Sequence, residues 1–308
     1  MPTATTTARR ATAAAVPARR SRDPLAGRRA RTAYLFLAPA LLFFAVLFFY
    51  PLANELLTSL FSGAQAETFS GIGNYTRAFT DPVARHSFLV TVEYAVGVLV
   101  LSIVLGIALA AVLNQGLRGR VVMRGILLVP YLTSMAIVGL LWRNILDPEV
   151  GVLNRVLLAA GLPTQSWLNT HPLATLVAIA AWQQIGYTTL LFLAGMQGIP
   201  ETYYEAARVD GAGPWRRFVG ITLPLLAPTT LFVSVIGVIS ALQEFTLPYI
   251  VTGGGPGNAT DLFVFRTYQT AFNFRDFGYA SALSYLLLVV ILVLSVVQLR
   301  IGRRRYDA

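Results

Sequence analysis

The run LLFFAVLFFY at residues 41–50 and the run SYLLLVVILVL at residues 284–294 decide the fold class of this chain. Neither run contains a charged side chain, and both are apolar on every face. A strand of a transmembrane barrel would instead alternate in polarity over about ten residues. The two runs therefore predict helices that are apolar all round, as membrane-spanning helices are.

Similar stretches recur along the chain, and they predict an all-α integral membrane protein. The hydrocarbon core of a bilayer is roughly 30 Å thick and is crossed by about 20 apolar residues of helix. Only 12% of the 308 residues are charged, about half the share in a soluble domain. We predict a transmembrane domain over residues 33–299 with six helices, at about 33–53, 89–113, 125–145, 174–198, 227–251 and 280–299.

The distribution of arginine predicts the orientation. All 24 basic residues are arginine, and 18 of them fall in the two terminal segments or in the second-to-third and fourth-to-fifth connections. Because basic residues concentrate in cytoplasmic loops, we expect both termini to be cytoplasmic. Residues 1–32 lack apolar periodicity and should form a disordered basic tail near anionic headgroups, although a transit peptide has a similar composition. Residues 300–308 should form a basic cytoplasmic C-terminus.

The residue types that are missing exclude several kinds of enzyme. Without lysine the chain cannot form a P-loop or a Schiff base, and without cysteine it has no thiol nucleophile. The two histidines, His86 and His171, have no acidic residue at metal-ligand spacing. The predicted spans contain the acids Glu93 and Glu244, which lie in different helices. We therefore predict neither a catalytic pair nor a metal site, and no enzyme activity.

Polar side chains cluster in the fourth and fifth predicted spans. Gln183 and Gln184 stand in the fourth, and Ser240, Gln243 and Glu244 in the fifth. The spacing of the last three places them on one face of a helix. Polar groups in lipid need partners, so the clusters indicate either bonds between helices or a path for a polar solute. Both interpretations stay open on composition alone.

The connection between those two spans reads PETYYEAARVDGAGPWRRFVGITLPLLAP over residues 200–228. Pro200 and Pro214 can each begin a short helix, and Asp210-Gly211 can form a turn between them. Small residues allow another backbone to approach, while Tyr204, Trp215 and Phe218 could anchor an interface. The segment is therefore either an element that docks in a partner's groove or an amphipathic helix on the membrane surface.

This stretch resembles the EAA loop of binding-protein-dependent ABC importer permeases. The matching positions are Glu205, Ala206, Ala207, Gly211, Ile221, Leu223 and Pro224. The segment YIVTGGGPGNAT at 249–260, and Ile72-Gly73-Asn74-Tyr75 before Asp81-Pro82, are similar to the carbohydrate branch near the glycerol-3-phosphate and maltooligosaccharide permeases. The match departs from that branch at Thr246 and Pro248.

The resemblance implies a type I importer permease of a bacterial cytoplasmic membrane. It implies a second permease subunit, two copies of a cytoplasmic ATPase that uses the ATP, an extracytoplasmic solute-binding protein and membrane lipid as partners, with no nucleic acid and no cofactor on this chain. The coupling loop, residues 200–224, would dock on the ATPase through Glu205, Ala206 and Ala207 and bend at Asp210-Gly211, with the motif completed by Ile221, Leu223 and Pro224. Solute contacts would fall on Gln183, Gln243, Glu244 and Tyr249.

Two alternatives to a sugar importer stay open. The first is an ABC permease for another polar solute, such as a polyamine. The second is an ion-coupled secondary transporter, which would favour internal repeats and coupling carboxylates. The chain shows no repeat and has only two acids inside the predicted spans, so the second alternative is weaker.

Overall fold

The structure is a computed structural model that describes residues 26–63, 67–115 and 118–306, and the side chains of 34–63, 67–115 and 118–302. The described part of the chain is mostly helical. Two short antiparallel strands, β1 (Phe61–Ser62) and β2 (Thr68–Phe69), pair with Phe61 opposite Phe69. The all-α prediction therefore holds for the described residues apart from this pair of strands.

The first helical stretch is longer than the predicted span at both ends. It comprises α1 (Ala26–Phe44), a π-helical segment (Ala45–Phe49) and α2 (Tyr50–Ser59). The prediction of disorder was wrong for residues 26–32, which are helical. Most of these positions hold alanine or arginine, which favour helix, and a helix extends readily from one already formed. The rest of the predicted tail, residues 1–25, lies outside the described residues.

The chain divides into two units, with the boundary between Asn54 and Glu55. The second unit begins at Glu55 and contains the remaining helices. Asp81 caps the helix that follows it by accepting a hydrogen bond from the Val83 backbone N–H at 2.9 Å, and proline at the first position suits a helix start. The helices are α3 (Gly73–Thr80), α4 (Pro82–Leu113), α5 (Arg120–Leu132), α6 (Met135–Ile145), α7 (Val152–Ala159), α8 (Trp167–Thr170), α9 (Pro172–Gln197), α10 (Glu201–Val209), α11 (Pro214–Arg217), α12 (Leu223–Leu225), α13 (Ala227–Leu242), α14 (Phe263–Tyr268) and α15 (Phe277–Tyr306). Further π-helical segments are Phe218–Thr222, Pro248–Thr252 and Gln269–Asn273.

Four described helices are long and apolar enough to cross a membrane. They are Tyr34–Ser59, Pro82–Leu113, Pro172–Gln197 and Phe277–Gly302. Two bent pairs, Arg120–Leu132 with Met135–Ile145 and Pro214–Leu225 with Ala227–Leu242, raise the number to six if each pair is one span. The predicted count of six is thus reached only by including helices that bend.

The predicted third span, 125–145, is not one straight helix. α5 and α6 meet at an angle of 95°, and Thr133 between them is extended, with φ −82° and ψ 137°. An extended residue frees backbone groups that a membrane cannot hydrate. Gln183 satisfies one of these groups, because its Nε2 donates a hydrogen bond to the Thr133 carbonyl oxygen at 3.0 Å.

The predicted fifth span, 227–251, was wrong at its far end because α13 ends at Leu242. Gln243 is the C-cap residue, and the Glu244 carboxylate accepts a hydrogen bond from the Leu247 backbone N–H at 2.9 Å. A carboxylate in this position caps a new helical turn. Hydropathy missed the break because apolar residues stand on both sides of it.

Close contacts at glycines give the relative directions of the helices. Gly97 and Gly106 of α4 face Val177 and Thr188 of α9, so these two helices run parallel. Gly302, near the end of α15, faces Leu231 at the start of α13. α13 and α15 therefore run in opposite directions, and the coupling loop lies at the end of the bundle opposite residues 243–276.

The core has two parts, one toward each end of the bundle. One cluster includes Val90, Ile179, Leu247 and Leu283. The other includes Ala110, Phe192, Leu226 and Val233 and lies beside the coupling loop. Both clusters draw on α4, α9 and α13 or the residues that adjoin α13, so these helices connect the two ends.

Candidate functional site

A cavity of about 230 Å³ lies among α4, α9, α13 and the junction of α5 and α6. Much of its lining is polar although these elements are apolar overall. The polar residues of the lining are Ser102, Tyr131, Gln183, Gln184, Tyr187, Thr188, Ser240 and Glu244. The structure therefore brings the two polar clusters of the sequence to one place.

The α9 residues of the lining share one side of their helix because they recur at helical spacing. Gly186 on α9 allows α5 to approach, since a Cβ there would collide with the Leu127 carbonyl group. The approach places Tyr131 against Tyr187, with their rings stacked at 4.5 Å between centroids. Close packing at one glycine thus sets the shape of the cavity wall.

Two groups in the cavity have hydrogen-bonding capacity to spare. The Ser102 Oγ is buried and has no hydrogen-bond partner among the described residues. Gln183 uses its amide nitrogen on Thr133, which leaves its carbonyl oxygen as an acceptor. Buried polar groups without a partner are costly, so the cavity is suited to a molecule that carries hydroxyl groups.

Of the predicted solute contacts, Gln183 and Glu244 line this cavity together, whereas Gln243 and Tyr249 do not. Gln243 is exposed beyond the end of α13, so the predicted shared face with Glu244 does not form. Tyr249 is 51% exposed and stacks on Phe245 at 5.1 Å. The sequence-based reasoning also missed Ser102, whose signal was an isolated hydroxyl in a long apolar helix.

Glu93 lies away from this cavity. It lines an open pocket of about 470 Å³ together with His86 and His171, so the fold brings the two histidines to one pocket. His86 Nε2 and the Asn258 carbonyl oxygen are 3.2 Å apart. Among the described residues, no group of three or more histidine or acidic residues could hold a metal ion.

The coupling loop contains two helical segments joined by a turn. α10 ends in a Schellman arrangement, in which the Gly211 N–H donates to the Arg208 carbonyl at 3.1 Å and the Ala212 N–H to the Ala207 carbonyl at 2.9 Å. Gly211 has φ +73°, a conformation that glycine adopts without strain. The second segment runs through α11, the Phe218–Thr222 π-helix and α12, and is bent by 60° from α13.

The loop exposes most of its motif side chains. Glu205, Ala206, Asp210, Gly211, Leu223 and Pro224 are exposed, while Ala207 and Ile221 are half-buried. Two large apolar neighbours also face outward, since Val209 is 88% exposed and Trp215 is 75% exposed. Glu205 lies 3.9 Å from Arg208, an exposed ion pair within the loop. The loop therefore presents one surface of small, apolar and charged groups.

Side-chain contacts join the two segments of the coupling loop to each other and join the loop to the helix bundle. The hydroxyl groups of Tyr204 and Thr222 lie 3.0 Å apart and join its two helical segments. Phe218 packs against the core cluster that contains Ala110 and Phe192. A displacement of the exposed surface would therefore reach α4 and α9.

At the opposite end, residues 252–260 form a compact turn, which we call the glycine loop. Gly253, Gly254 and Gly257 have positive φ, and the bond between Gly255 and Pro256 is cis. The buried Thr260 hydroxyl donates to the Gly255 carbonyl at 2.8 Å.

Comparison with known proteins gives consistent matches. Residues 102–305 match the family described as "Binding-protein-dependent transport system inner membrane component". The chain is 38% identical to the probable ABC transporter permease protein YurN of Bacillus subtilis over 87% of this chain and 94% of that protein. It is 35% identical to the trehalose/maltose transport system permease protein MalF of Thermococcus litoralis (91% and 96% covered). It is 34% identical to the sn-glycerol-3-phosphate transport system permease protein UgpA of Agrobacterium fabrum (88% and 94% covered).

A solved structure shares the fold. A chain of a bacterial alginate ABC transporter, crystallised in complex with an alginate pentasaccharide-bound periplasmic protein, aligns with a TM-score of 0.77. The alignment covers 90% of this chain and 96% of that chain at 23% identity. At that identity the likeness speaks for the fold alone.

Proposed function

Because the chain belongs to the family of binding-protein-dependent transport system inner membrane components, we propose that it is the transmembrane permease subunit of an ATP-driven importer for a sugar or a glycerol-phosphate type solute. Family membership confirms the resemblance seen in the EAA motif, and the aligned permease chain confirms the type I fold. The named relatives transport trehalose or maltose and sn-glycerol 3-phosphate. Those solutes are rich in hydroxyl groups.

The polar cavity is the observation that carries this proposal. It offers a buried, unpartnered hydroxyl at Ser102 and amide groups at Gln183 and Gln184 to a polyol. Glu244 is the one carboxylate in the described lining and could pair with a cation. The preference for a sugar-type solute over a polyamine therefore rests on the relatives named for trehalose/maltose and sn-glycerol 3-phosphate. At about 230 Å³ the cavity is smaller than most ligand sites, which are roughly 300–1,000 Å³. A second permease subunit would complete it.

The chain transmits force and does not hydrolyse ATP. It has no lysine for a P-loop, so a separate ATPase supplies hydrolysis. Closure of an ATPase dimer pushes the coupling loop, and Phe218 passes the push to the core that α4, α9 and α13 share. Those helices also line the cavity. Access to the cavity therefore switches between two states in step with hydrolysis.

The assembly contains this chain, a second permease, two copies of the ATPase and an extracytoplasmic solute-binding protein. The arginine distribution supports a cytoplasmic position, in a bacterial cell, for the coupling loop and both termini. Glu205 pairs with a basic group in the ATPase groove, and Ala206 and Ala207 let the two backbones approach. No cofactor binds to this chain.

Reconstitution tests the division of labour. Proteoliposomes that hold the complete complex and ATP, with the binding protein outside, should accumulate labelled maltose, trehalose or sn-glycerol 3-phosphate. Proteoliposomes that hold this chain alone should accumulate none of the three. Accumulation by the isolated chain would contradict the proposal.

Two adjacent residues test the cavity. Glu244→Ala removes a lining carboxylate, and Gln243→Ala changes an exposed neighbour. We expect Glu244→Ala to raise the KM for uptake about tenfold, the value of one hydrogen bond to a charged group. Gln243→Ala should leave the KM unchanged. Equal effects of the two substitutions would remove the cavity from the solute path.

A further inference from the structure

A second pocket, of about 390 Å³, lies at the end of the bundle that carries residues 243–276. It is formed by α2, α14, α15 and the π-helical segment Gln269–Asn273. Its lining combines one carboxyl group, several hydroxyl groups and aromatic rings. The residues that matter are Glu55, Thr267, Tyr268, Phe272, Ser281 and Ser284. The transport mechanism described above uses none of them.

Glu55 lies within the membrane-length helix Tyr34–Ser59. An ionisable residue inside a span is costly unless it faces a polar or water-filled space, and this one lines the pocket. The predicted first span ended at residue 53, so the sequence placed Glu55 outside the membrane. The longer helix of the structure includes Glu55 near its end, where its carboxyl group interacts electrostatically with Tyr285.

Hydroxyl groups line the same pocket as this carboxyl group. The Thr267 hydroxyl donates to the Phe263 carbonyl oxygen at 2.8 Å, which leaves the Thr267 oxygen free to accept. Ser281 and Ser284 lie about one helical turn apart on α15 and also line the pocket. Hydroxyl and carboxyl groups can pair with the hydroxyl groups of a sugar, each of which both donates and accepts.

Aromatic rings form a row that leads to the pocket. Centroid distances are 5.1 Å from Phe245 to Tyr268 and 4.9 Å from Tyr268 to Phe272. Phe272 is 62% exposed, so part of its ring is free. The face of an aromatic ring is negative, and it attracts the weakly positive C–H face of a sugar ring.

One end of the row is next to the polar cavity along the chain. Phe245 lines this pocket and follows directly after Glu244, which lines the polar cavity. We propose that the pocket beside Glu55 is a second solute subsite, which holds one sugar ring before the solute reaches the polar cavity. This inference rests on the proposed function. The carboxyl group at Glu55 argues against an anionic lipid headgroup as the occupant.

The test uses the complete complex in proteoliposomes with labelled maltotriose. Glu55→Gln and Phe272→Ala should each raise the KM for uptake about fivefold to tenfold, as loss of one charged hydrogen bond or one ring contact predicts. The maximal rate should stay within about twofold, because the coupling loop is untouched. Phe272→Tyr, which keeps the ring, should restore the wild-type KM.

Matched controls come from the same end of the molecule. Phe274→Ala removes a similarly exposed ring that does not line the pocket, and Glu67→Gln removes an exposed carboxyl group. Both should keep the wild-type KM. An unchanged KM in Glu55→Gln and Phe272→Ala, while the wild type transports, overturns the subsite and leaves the proposed function standing.

A second measurement separates the subsite from transport. Saturation-transfer NMR on the purified complex should show transfer from protein to maltotriose, reduced by more than about half in Phe272→Ala. Wild-type proteoliposomes that do not accumulate maltotriose, together with NMR transfer that depends on Phe272, would support the subsite and contradict transport. Transfer that is equal in the wild type and Phe272→Ala overturns the subsite.

Discussion

The coupling loop and the segment 252–279 lie at opposite ends of the bundle. They differ in whether their ion pairs are exposed or buried. In the coupling loop the pair of Glu205 and Arg208 is exposed and 3.9 Å apart. In the other segment Asp261 is 1% exposed and accepts a hydrogen bond from Arg266 Nε at 2.7 Å. Ser87 on α4 donates to the same carboxylate oxygen at 2.6 Å. One region leaves its charged pair exposed. The other buries a carboxylate whose Oδ2 is paired within the chain and whose Oδ1 has no hydrogen-bond partner among the described residues.

The two ends also differ in the side-chain hydrogen bonds that join their helices. At the end that carries Asp261, the Tyr279 hydroxyl donates to Asp81 at 2.9 Å and Arg77 donates to Asp276 at 2.7 Å. These contacts join α3, α4 and α15. The coupling loop instead relies on one contact between hydroxyl groups and on Phe218. In the described residues, the end that carries Asp261 is therefore joined by more side-chain hydrogen bonds between elements than the coupling loop is.

Gly211→Trp should have the largest effect. It forces a residue with a Cβ into the left-handed region, at a cost of roughly 1–2 kcal/mol, and adds an indole to the docking surface. Since nothing lies within 4 Å of the Cβ position, the chain should still insert. We expect uptake at background and no ATPase in pull-downs.

Gly213→Ala is the matched control for Gly211→Trp. Gly213 has φ −67°, which any residue adopts, and its Cβ position is also open. This variant should bind the ATPase normally. Co-purification of the ATPase at undiminished yield with Gly211→Trp would refute the docking role of the bend.

Asp261→Asn should have the next largest effect, on stability. It breaks a buried ion pair and leaves Arg266 without its counter-charge, which typically costs about 3–5 kcal/mol. Thermal unfolding of the purified chain measures the loss. The exposed pair at the other end provides the comparison, because Glu205→Gln should cost less than about 1 kcal/mol. Equal losses of stability in Asp261→Asn and Glu205→Gln would show that the buried pair contributes no more than the exposed one.

Glu205→Gln should affect binding more than stability. If Glu205 pairs with the ATPase as proposed, losing its charge removes a charge-assisted hydrogen bond, so the Kd of the ATPase should rise about tenfold. Glu201→Gln is the control, since Glu201 bears the same charge on α10 and pairs with Arg208 at 3.0 Å. A rise of equal size in both variants would show that only the charge of the loop matters.

Asp147, in the turn after α6, should give the smallest effect. Hydrogen bonds from the backbone N–H groups of Val150 and Glu149, each 2.9 Å long, hold the pKa of its carboxyl group below the usual value. The stabilisation is present above the unfolded-state pKa of about 4 and is lost as pH falls through the lower folded-state pKa.

Unfolding temperatures of the wild type and Asp147→Asn check this pH dependence. The wild type should be the more stable of the two at pH 6, and its advantage should shrink at pH 3. An advantage that does not change with pH would show that the carboxylate form contributes nothing to this turn.

Much of the fold could be predicted because length and apolarity decide which helices can cross a membrane. The cores of α4, α9 and α15 fall where the apolar windows placed them. The break between α5 and α6 could not be predicted, because the amide that satisfies the Thr133 carbonyl group at the break belongs to Gln183, 50 residues away. The end of α13 at Leu242 was also not predicted, because the side chain of Glu244 caps a new turn directly after it.

The candidate site divides in the same way. The spacing of Glu205, Ala206, Ala207 and Gly211 was readable because these residues act within one short segment. The sequence showed that polar residues cluster in two spans. It did not show which members of each cluster line the cavity. Once α13 ends early, Glu244 lines the cavity and Gln243 does not.

By itself, the sequence determined that the chain consists of apolar helices with an EAA-type loop between two of them, because hydrophobicity and local turn chemistry depend on neighbouring residues. Only the tertiary structure decided that Ser102, Gln183 and Glu244 share one cavity. Their meeting requires three elements to pack at fixed depth and rotation, which depends on contacts such as that between Gly186 and Leu127. Such contacts join residues far apart in the chain and leave no local pattern to read.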